Sequence, residues 1–194
     1  MELLPRVRGL LLKPKDEWLK IKAEPTPIAE LFTSYAMILA AVPPAAQFAG
    51  RLLFRSEIPF SKAPVWSFGR ALTSAILSYI FSLAIVYLFA VIVDALAPNF
   101  ASARSLPNAM KLAVYSMTPV WVAGVVYLIP GLGILVLLAG VYGLYLLYEG
   151  LRAPMMGTPK DRVMGFLVVS IIVVVALFVV AWLLLFVLSF HGRV

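Results

Sequence analysis

Four long runs of the chain contain no Asp, Glu, Lys or Arg, and they dominate its pattern. They cover residues 31–50, 71–93, 112–148 and 163–192. A helix crosses the ~30 Å hydrocarbon core of a bilayer in ~20 residues, so each run is long enough to form a membrane span. The pattern predicts an all-α fold, a polytopic membrane helix bundle.

The run 112–148 has 37 residues, which is too long for one crossing. Pro130, near its middle, lacks the amide hydrogen that a helix needs, and Gly131 suits the left-handed turn that often follows a helix. The run therefore predicts a hairpin of two spans. We expect five transmembrane helices in all, at about 31–50, 71–94, 110–129, 131–149 and 163–190.

Small and kink-forming residues inside the spans predict how they pack. Pro43-Pro44 and Pro119 should bend the first and third spans. Ser74, Ser78 and Ser82 recur every four residues on the second span, a spacing that lets helices approach closely and form hydrogen bonds with one another.

Basic residues set the expected orientation. With the N-terminus inside, the inner segments hold eleven Lys and Arg residues and the outer segments hold five. Because positive charge accumulates on the cytoplasmic side, the chain should be oriented N-in, C-out. The same bias explains the formal net charge of +7, so the charge does not indicate nucleic-acid binding.

The sequence divides into residues 1–29, predicted to be an amphipathic cytoplasmic interfacial segment, and residues 30–194, the five-span membrane domain. Pro14 should begin a short helix that ends at Ala23, because proline is favoured at the first helical position. A first short helix is expected before it, with apolar residues on one arc: Leu3, Leu4, Val7, Leu10 and Leu11. The segment should lie in the inner membrane interface. It could dock lipid or a partner, or it could be an ordinary topogenic flank that rests on headgroups. The expected lipid contacts are Arg6, Arg8, Lys13 and Trp18.

Composition excludes most catalytic chemistry. The chain has no Cys, and its single His is His191. We therefore expect no thiolate or multi-histidine metal site, no catalytic residues and no cofactor. We also find no Gly-x-Ser-x-Gly motif and no pair of carboxylates deep in a span, so we expect a protein that is not an enzyme.

Charges at the span ends are the first candidates for function. Asp94 ends the second span and Lys111 begins the third. They flank one loop and carry opposite charges, so we expect them to form a pair or share a network. The pair could gate an ion path, or it could simply fix two helix ends.

Hydroxyl groups on the third and fourth spans are the second candidates. They could line a binding cavity, since hydroxyl groups at depth need polar partners or a cavity. The candidate cavity-lining residues are Tyr115, Ser116, Thr118, Tyr142 and Tyr145.

Several motifs, taken in order, resemble the bacterial branch of the Yip (Ypt-interacting-protein) membrane family. The motifs are RVRGLLLKPKDEWLKIKA (6–23) followed by Glu24-Pro-Thr, VDALAP (93–98), YSMTP (115–119) with Trp121 and Gly124, IPGLG (129–133), GVYGLYLLYEGL (140–151) and TPKD (158–161). The resemblance implies a five-span, N-inside architecture. Eukaryotic members are implicated in vesicle traffic and contact prenylated Rab-type GTPases. This chain lacks their long cytosolic N-terminal region and its Asp-Leu-Tyr-Gly-Pro motif, so the resemblance leaves the activity open.

Two functions follow as hypotheses. The first is a non-enzymatic integral membrane protein that organises lipids or protein partners. The alternative is a channel or transporter for ions or small solutes, with a cavity among spans two to four. The expected partners are membrane lipids, a second copy of the chain in a homo-oligomer, and a membrane or peripheral protein. The expected location is a bacterial inner membrane.

Overall fold

The computed structural model describes residues 2–53, 67–129, 131–153 and 155–191, with side chains as far as residue 184. These residues form helices and connections, with no strand among them. The α-helices are α1 (Leu3–Leu12), α2 (Pro14–Ala23), α3 (Ile28–Leu31), α4 (Met37–Ala40), α5 (Val42–Leu53), α6 (Phe68–Leu96), α7 (Leu106–Ser116), α8 (Thr118–Ala123), α9 (Ile134–Arg152) and α10 (Val163–His191).

Five helical segments are long and apolar enough to cross a membrane, which confirms the predicted number of spans. They are span one (Ile28–Leu53), span two (Phe68–Phe100), span three (Leu106–Leu128), span four (Ile134–Arg152) and span five (Val163–Leu184). The first four extend beyond the predicted limits at one end or both, because helix and turn continue into flanking polar residues. The N-in orientation stays a prediction.

The α-helix is interrupted beside the prolines of spans one and three, where bends were predicted. In span one, α4 ends at Ala40 and α5 begins at Val42, just before Pro43. In span three, α7 ends at Ser116 and α8 begins at Thr118, just before Pro119. Span one also contains a π-helical turn at Phe32–Ala36, which no residue pattern had indicated.

The hairpin between spans three and four is also confirmed. Span three ends in a 3₁₀ turn at Gly124–Leu128, and α9 begins at Ile134. Gly131 has a φ of 94°, a conformation that glycine adopts without steric cost. Pro130 lies outside the described residues. The turn delays the start of span four by three residues relative to the prediction.

Span three is the most buried of the five spans described, and span five is the least buried. Trp121 of α8 is buried and donates a hydrogen bond from Nε1 to Ser82 Oγ of α6 at 3.3 Å. This contact joins Ser82 of the serine row to span three, as the packing prediction expects. Span five packs on α6 and α9. Its Phe166 ring stacks on Phe100 at 4.7 Å between centroids.

Helices α1 and α2 form the helix pair predicted before the first span. They pack on each other, α1 also touches α8, and α2 packs on α9. Leu10, Trp18 and Ile21 point into the core and are almost fully buried. The pair, called here the N-terminal pair, is thus part of the packed bundle.

Candidate functional site

A buried ionic cluster holds the N-terminal pair together. Arg6 of α1 donates from Nη1 to Glu17 Oε1 of α2 at 2.6 Å, and from Nη2 to Glu24 Oε1 at 2.6 Å. The side chains of Arg6 and Glu17 are each 8% exposed, whereas Glu24 is 42% exposed. Burial lowers the pKa of the Arg6 guanidinium, but the hydrogen bond to Glu24 and the two carboxylate charges outweigh it and raise that pKa above its ordinary value. Arg6 therefore stays charged.

Lys111 of α7 ties the same region to span three. Its Nζ donates to the main-chain oxygen of Ile21 at 3.1 Å and also to that of Glu24. These carbonyls belong to the last turn of α2 and the residue that follows it, where helix carbonyls lack intrahelical partners. The ammonium group thus caps α2 while lying 3% exposed at the start of span three.

Aromatic side chains continue the site toward the bundle interior. The Tyr115 ring packs edge-on against Trp18 at 6.1 Å and against Tyr35 at 5.0 Å between centroids. The Arg6 guanidinium lies 5.8 Å from the centroid of the Tyr115 ring, a cation–π distance. The Tyr35 and Thr118 hydroxyls are joined by a 2.8 Å hydrogen bond, which links spans one and three.

The exposed side chains of the N-terminal pair include apolar and basic ones. Leu4, Leu12 and Leu19 are 76%, 68% and 60% exposed. Arg8 and Lys13 are exposed as well. Leu4, Arg8 and Leu12 follow the four-residue spacing that places side chains on one helix face. We call this surface, defined by these five residues, the outer face.

The structure corrects two of the four predicted lipid contacts. Arg6 and Trp18 point inward, and their side chains are used by the ionic cluster and the aromatic core. Arg8 and Lys13 are exposed, so their contact with lipid stays a prediction. The apolar residues of α1 are divided between the two sides of the helix, because Leu10 is buried in the bundle whereas Leu4 is 76% exposed.

Asp94 and Lys111 have different partners, which corrects the expected pair. Asp94 accepts a bond from Arg104 Nη2 at 3.3 Å, within the loop between spans two and three. Lys111 instead binds the backbone after α2. A gating role for either residue stays a prediction. Arg104 is 65% exposed, so its pair with Asp94 is a surface contact.

The predicted cavity residues lie in different environments, some in the packed core and others at the surface of the bundle. Tyr115, Ser116 and Thr118 are buried in side-chain packing. Tyr142 donates to the main-chain oxygen of Leu11 at 2.9 Å, so it fixes the end of α1 on span four. Tyr145 lines an open groove of about 300 Å³ between α9 and α10. Of the five residues, Tyr145 alone lines this groove.

Sequence reasoning missed Glu17, Glu24 and Tyr35. One signal was available for Glu17: it lies on the same helix face as Trp18 and Ile21, and a carboxylate on an apolar face needs a buried cation. Nothing in the sequence indicated that Tyr35 pairs with a hydroxyl 83 positions away.

This site can fix a helix pair to a membrane bundle, but it holds no arrangement of a nucleophile with a base. Among the described residues, no three His, Cys, Asp or Glu side chains form a group that could hold a metal ion. The chemistry that the site supports is attachment, with the outer face left available to a membrane surface.

No curated protein and no solved structure matches the chain. The model of one family, described as the Yip1 domain, matches residues 8–183. The match runs from α1 into span five and includes most of the N-terminal pair. The chain is therefore a multi-pass membrane protein that belongs to the Yip1-domain family.

Proposed function

We propose that this chain is a non-enzymatic membrane protein that gathers anionic lipids in one leaflet through the outer face of its N-terminal pair. The single observation that supports the proposal is the two-sided character of that pair. Its inner side is fixed to the bundle by Arg6 and Trp18, and its outer side exposes leucines beside basic residues.

Fixing the pair matters energetically. A free amphipathic helix loses orientational and conformational freedom when it binds a membrane, whereas a pair already folded on the bundle has lost most of that freedom. Basic residues near an anionic surface each contribute about 1 kcal/mol of attraction. The pair should therefore hold anionic headgroups next to the spans at little further cost.

The transport alternative has no specific support from the described residues. Tyr115 and Thr118, which were expected to line a cavity, fill the packed core instead. A bacterial inner membrane as the location, and a second copy of the chain or another protein as a partner, stay predictions from the sequence.

Lipid gathering can be measured in proteoliposomes that contain the full chain and a small fraction of phosphatidylglycerol with a self-quenching fluorophore. The wild-type chain should increase quenching, and added salt should reverse the increase because exposed charges are screened. The variant R8E/K13E should lose roughly half or more of the effect, given the attraction that each basic residue contributes.

The matched control is K160E/R162E, which reverses two exposed charges in the loop between spans four and five. It should leave quenching near the wild-type level. An equal loss of quenching in both variants would mean that the effect depends only on net charge, which would contradict a role for the outer face. Saturable solute flux that R8E/K13E does not alter would favour the transport alternative.

A further inference from the structure

The last two turns of α9 carry four side chains of interest along one face. Tyr145, Tyr148, Glu149 and Arg152 follow i, i+3, i+4 and i+7 spacing, so they lie along one side of the helix. A basic pocket borders this face on the side of α2, and an apolar groove borders it on the side of α10.

The basic pocket has a volume of about 200 Å³ and is lined by Lys15, Leu19, Glu149, Arg152 and Ala153. Glu149 is buried, and its Oε1 lies 3.7 Å from Arg152 Nη1. Arg152 remains 53% exposed, so it can still donate hydrogen bonds to a ligand. Two cations and one carboxylate leave the lining with one net positive charge, which is complementary to a phosphodiester.

The apolar groove has a volume of about 300 Å³ and is lined by Leu144, Tyr145, Tyr148, Met164 and Leu167. It is open along the side of the bundle where lipid chains would lie. Its lining is mostly aliphatic and aromatic, which suits an acyl chain.

Tyr148 joins the pocket and the groove. Its ring lines the groove, and the Arg152 guanidinium of the pocket lies 5.5 Å from its centroid. A ligand that fills both parts must therefore have an anionic head directly attached to an apolar tail.

We propose that this composite site binds one anionic phospholipid, with its phosphate between Lys15 and Arg152 and an acyl chain in the groove beside Tyr148. Inorganic phosphate would leave the groove empty. A zwitterionic lipid would bring a second cation to a lining that is already positive. The inference deepens the proposed function by naming one lipid site, and it rests on the same placement of the N-terminal pair at the membrane surface.

Native mass spectrometry of the full chain tests the proposal by counting the lipids that stay bound. The chain is released from detergent after incubation with equal amounts of phosphatidylglycerol and phosphatidylcholine that have identical acyl chains. The wild-type chain should retain one phosphatidylglycerol in preference to phosphatidylcholine. Millimolar inorganic phosphate should not displace it.

Two pairs of variants separate the head and tail contacts. K15Q/R152Q should lower the retention of phosphatidylglycerol by on the order of tenfold, since each basic residue near an anionic surface contributes a severalfold effect. K160Q/R162Q, which removes two exposed charges nearby, should not lower it. M164W should fill the groove and reduce retention, whereas I172W, an exposed position two turns further along α10, should not.

Equal retention of the two lipids by the wild-type chain would overturn the proposal, as would equal loss in K15Q/R152Q and K160Q/R162Q. Displacement by inorganic phosphate would show an anion site without a lipid. If K15Q/R152Q does not fold, the exposed single substitution Lys15→Gln carries the same test. If a phospholipid binds here but the proteoliposomes show no lipid gathering, this site stands and the proposed function is refuted. If lipid gathering occurs without a bound phospholipid, the proposed function stands and this site is refuted.

Discussion

The ionic cluster makes a direct prediction about Arg6. In Arg6→Met, Glu17 keeps its buried position but loses its buried partner. Its remaining partner is Lys20 at 3.2 Å, whose side chain is 65% exposed. Glu24 is 42% exposed and can turn toward water, so it adds little to the penalty. The N-terminal pair should therefore separate from the bundle more often.

The magnitude follows from the burial of the pair. Removing one partner of a buried ion pair costs about 3–5 kcal/mol, because the other charge stays buried without compensation. Even the lower value corresponds to roughly a 100-fold increase in the population of the undocked pair. The double variant R6M/E17M removes both charges and leaves apolar side chains of similar length. It should recover most of the docking.

The absence of Cys gives a clean assay, since a single introduced thiol can be labelled with a maleimide. Ile21→Cys places the thiol on the buried side of α2, at a position that is 1% exposed. Its labelling should be slow in the wild-type background, roughly 100-fold faster with R6M and slow again with R6M/E17M. Lys160→Cys, at an exposed position in the loop between spans four and five, should label quickly in all three backgrounds.

Two results would refute this reasoning. Unchanged labelling of Ile21→Cys in R6M would mean that the ion pair does not hold the N-terminal pair. Labelling in R6M/E17M as fast as in R6M would mean that the arginine acts through something other than its buried carboxylate partner, such as its contact with Tyr115.

The remaining predictions concern stability, measured by thermal unfolding in detergent. G143A should destabilise by about 1–3 kcal/mol, because an added Cβ would lie 2.7 Å from a main-chain oxygen of span three. G140A, one turn earlier with nothing within 4 Å, should be neutral or stabilising by up to about 1 kcal/mol. K111M should destabilise by about 1–3 kcal/mol, because the buried carbonyl of Ile21 at the end of α2 loses the donor that Lys111 supplies. Y35F should cost about 0.6–1 kcal/mol for the lost bond to Thr118, as do other hydrogen bonds between membrane helices. Equal effects of G143A and G140A, or a stabilised K111M, would contradict the packing described here.

Features that depend on local sequence were predictable. The charge-free runs gave the number of spans because burial in lipid excludes charge over a fixed length. The helix breaks in spans one and three and the turn between spans three and four were predictable from Pro43, Pro119 and Gly131. The backbone preferences of proline and glycine act within a few residues. The start of α2 at Pro14 has the same origin. The π-helical turn at Phe32–Ala36 was not predictable, since no proline or glycine marks it in the sequence.

The site was harder to predict because its contacts join distant parts of the chain. An amphipathic arc on α1 shows that one side is buried, but it does not show whether lipid or protein covers it. Arg6 and Trp18 were therefore assigned to the membrane although the bundle contacts them. Asp94 and Lys111 flank one loop, but α2 supplies carbonyls to Lys111 and the loop supplies Arg104 to Asp94. Sequence proximity favoured the wrong partners.

The central claim is that the outer face of the N-terminal pair lies in the membrane surface. Its most direct test is a nitroxide attached to Leu12→Cys in proteoliposomes that contain phosphatidylglycerol, with accessibility to oxygen and to a water-soluble nickel complex measured by electron paramagnetic resonance. We predict access to oxygen and protection from nickel at Leu12, with the same result at Leu4→Cys and free nickel access at the loop position Lys160→Cys. Full nickel access at both leucines would place the outer face in water and contradict the account.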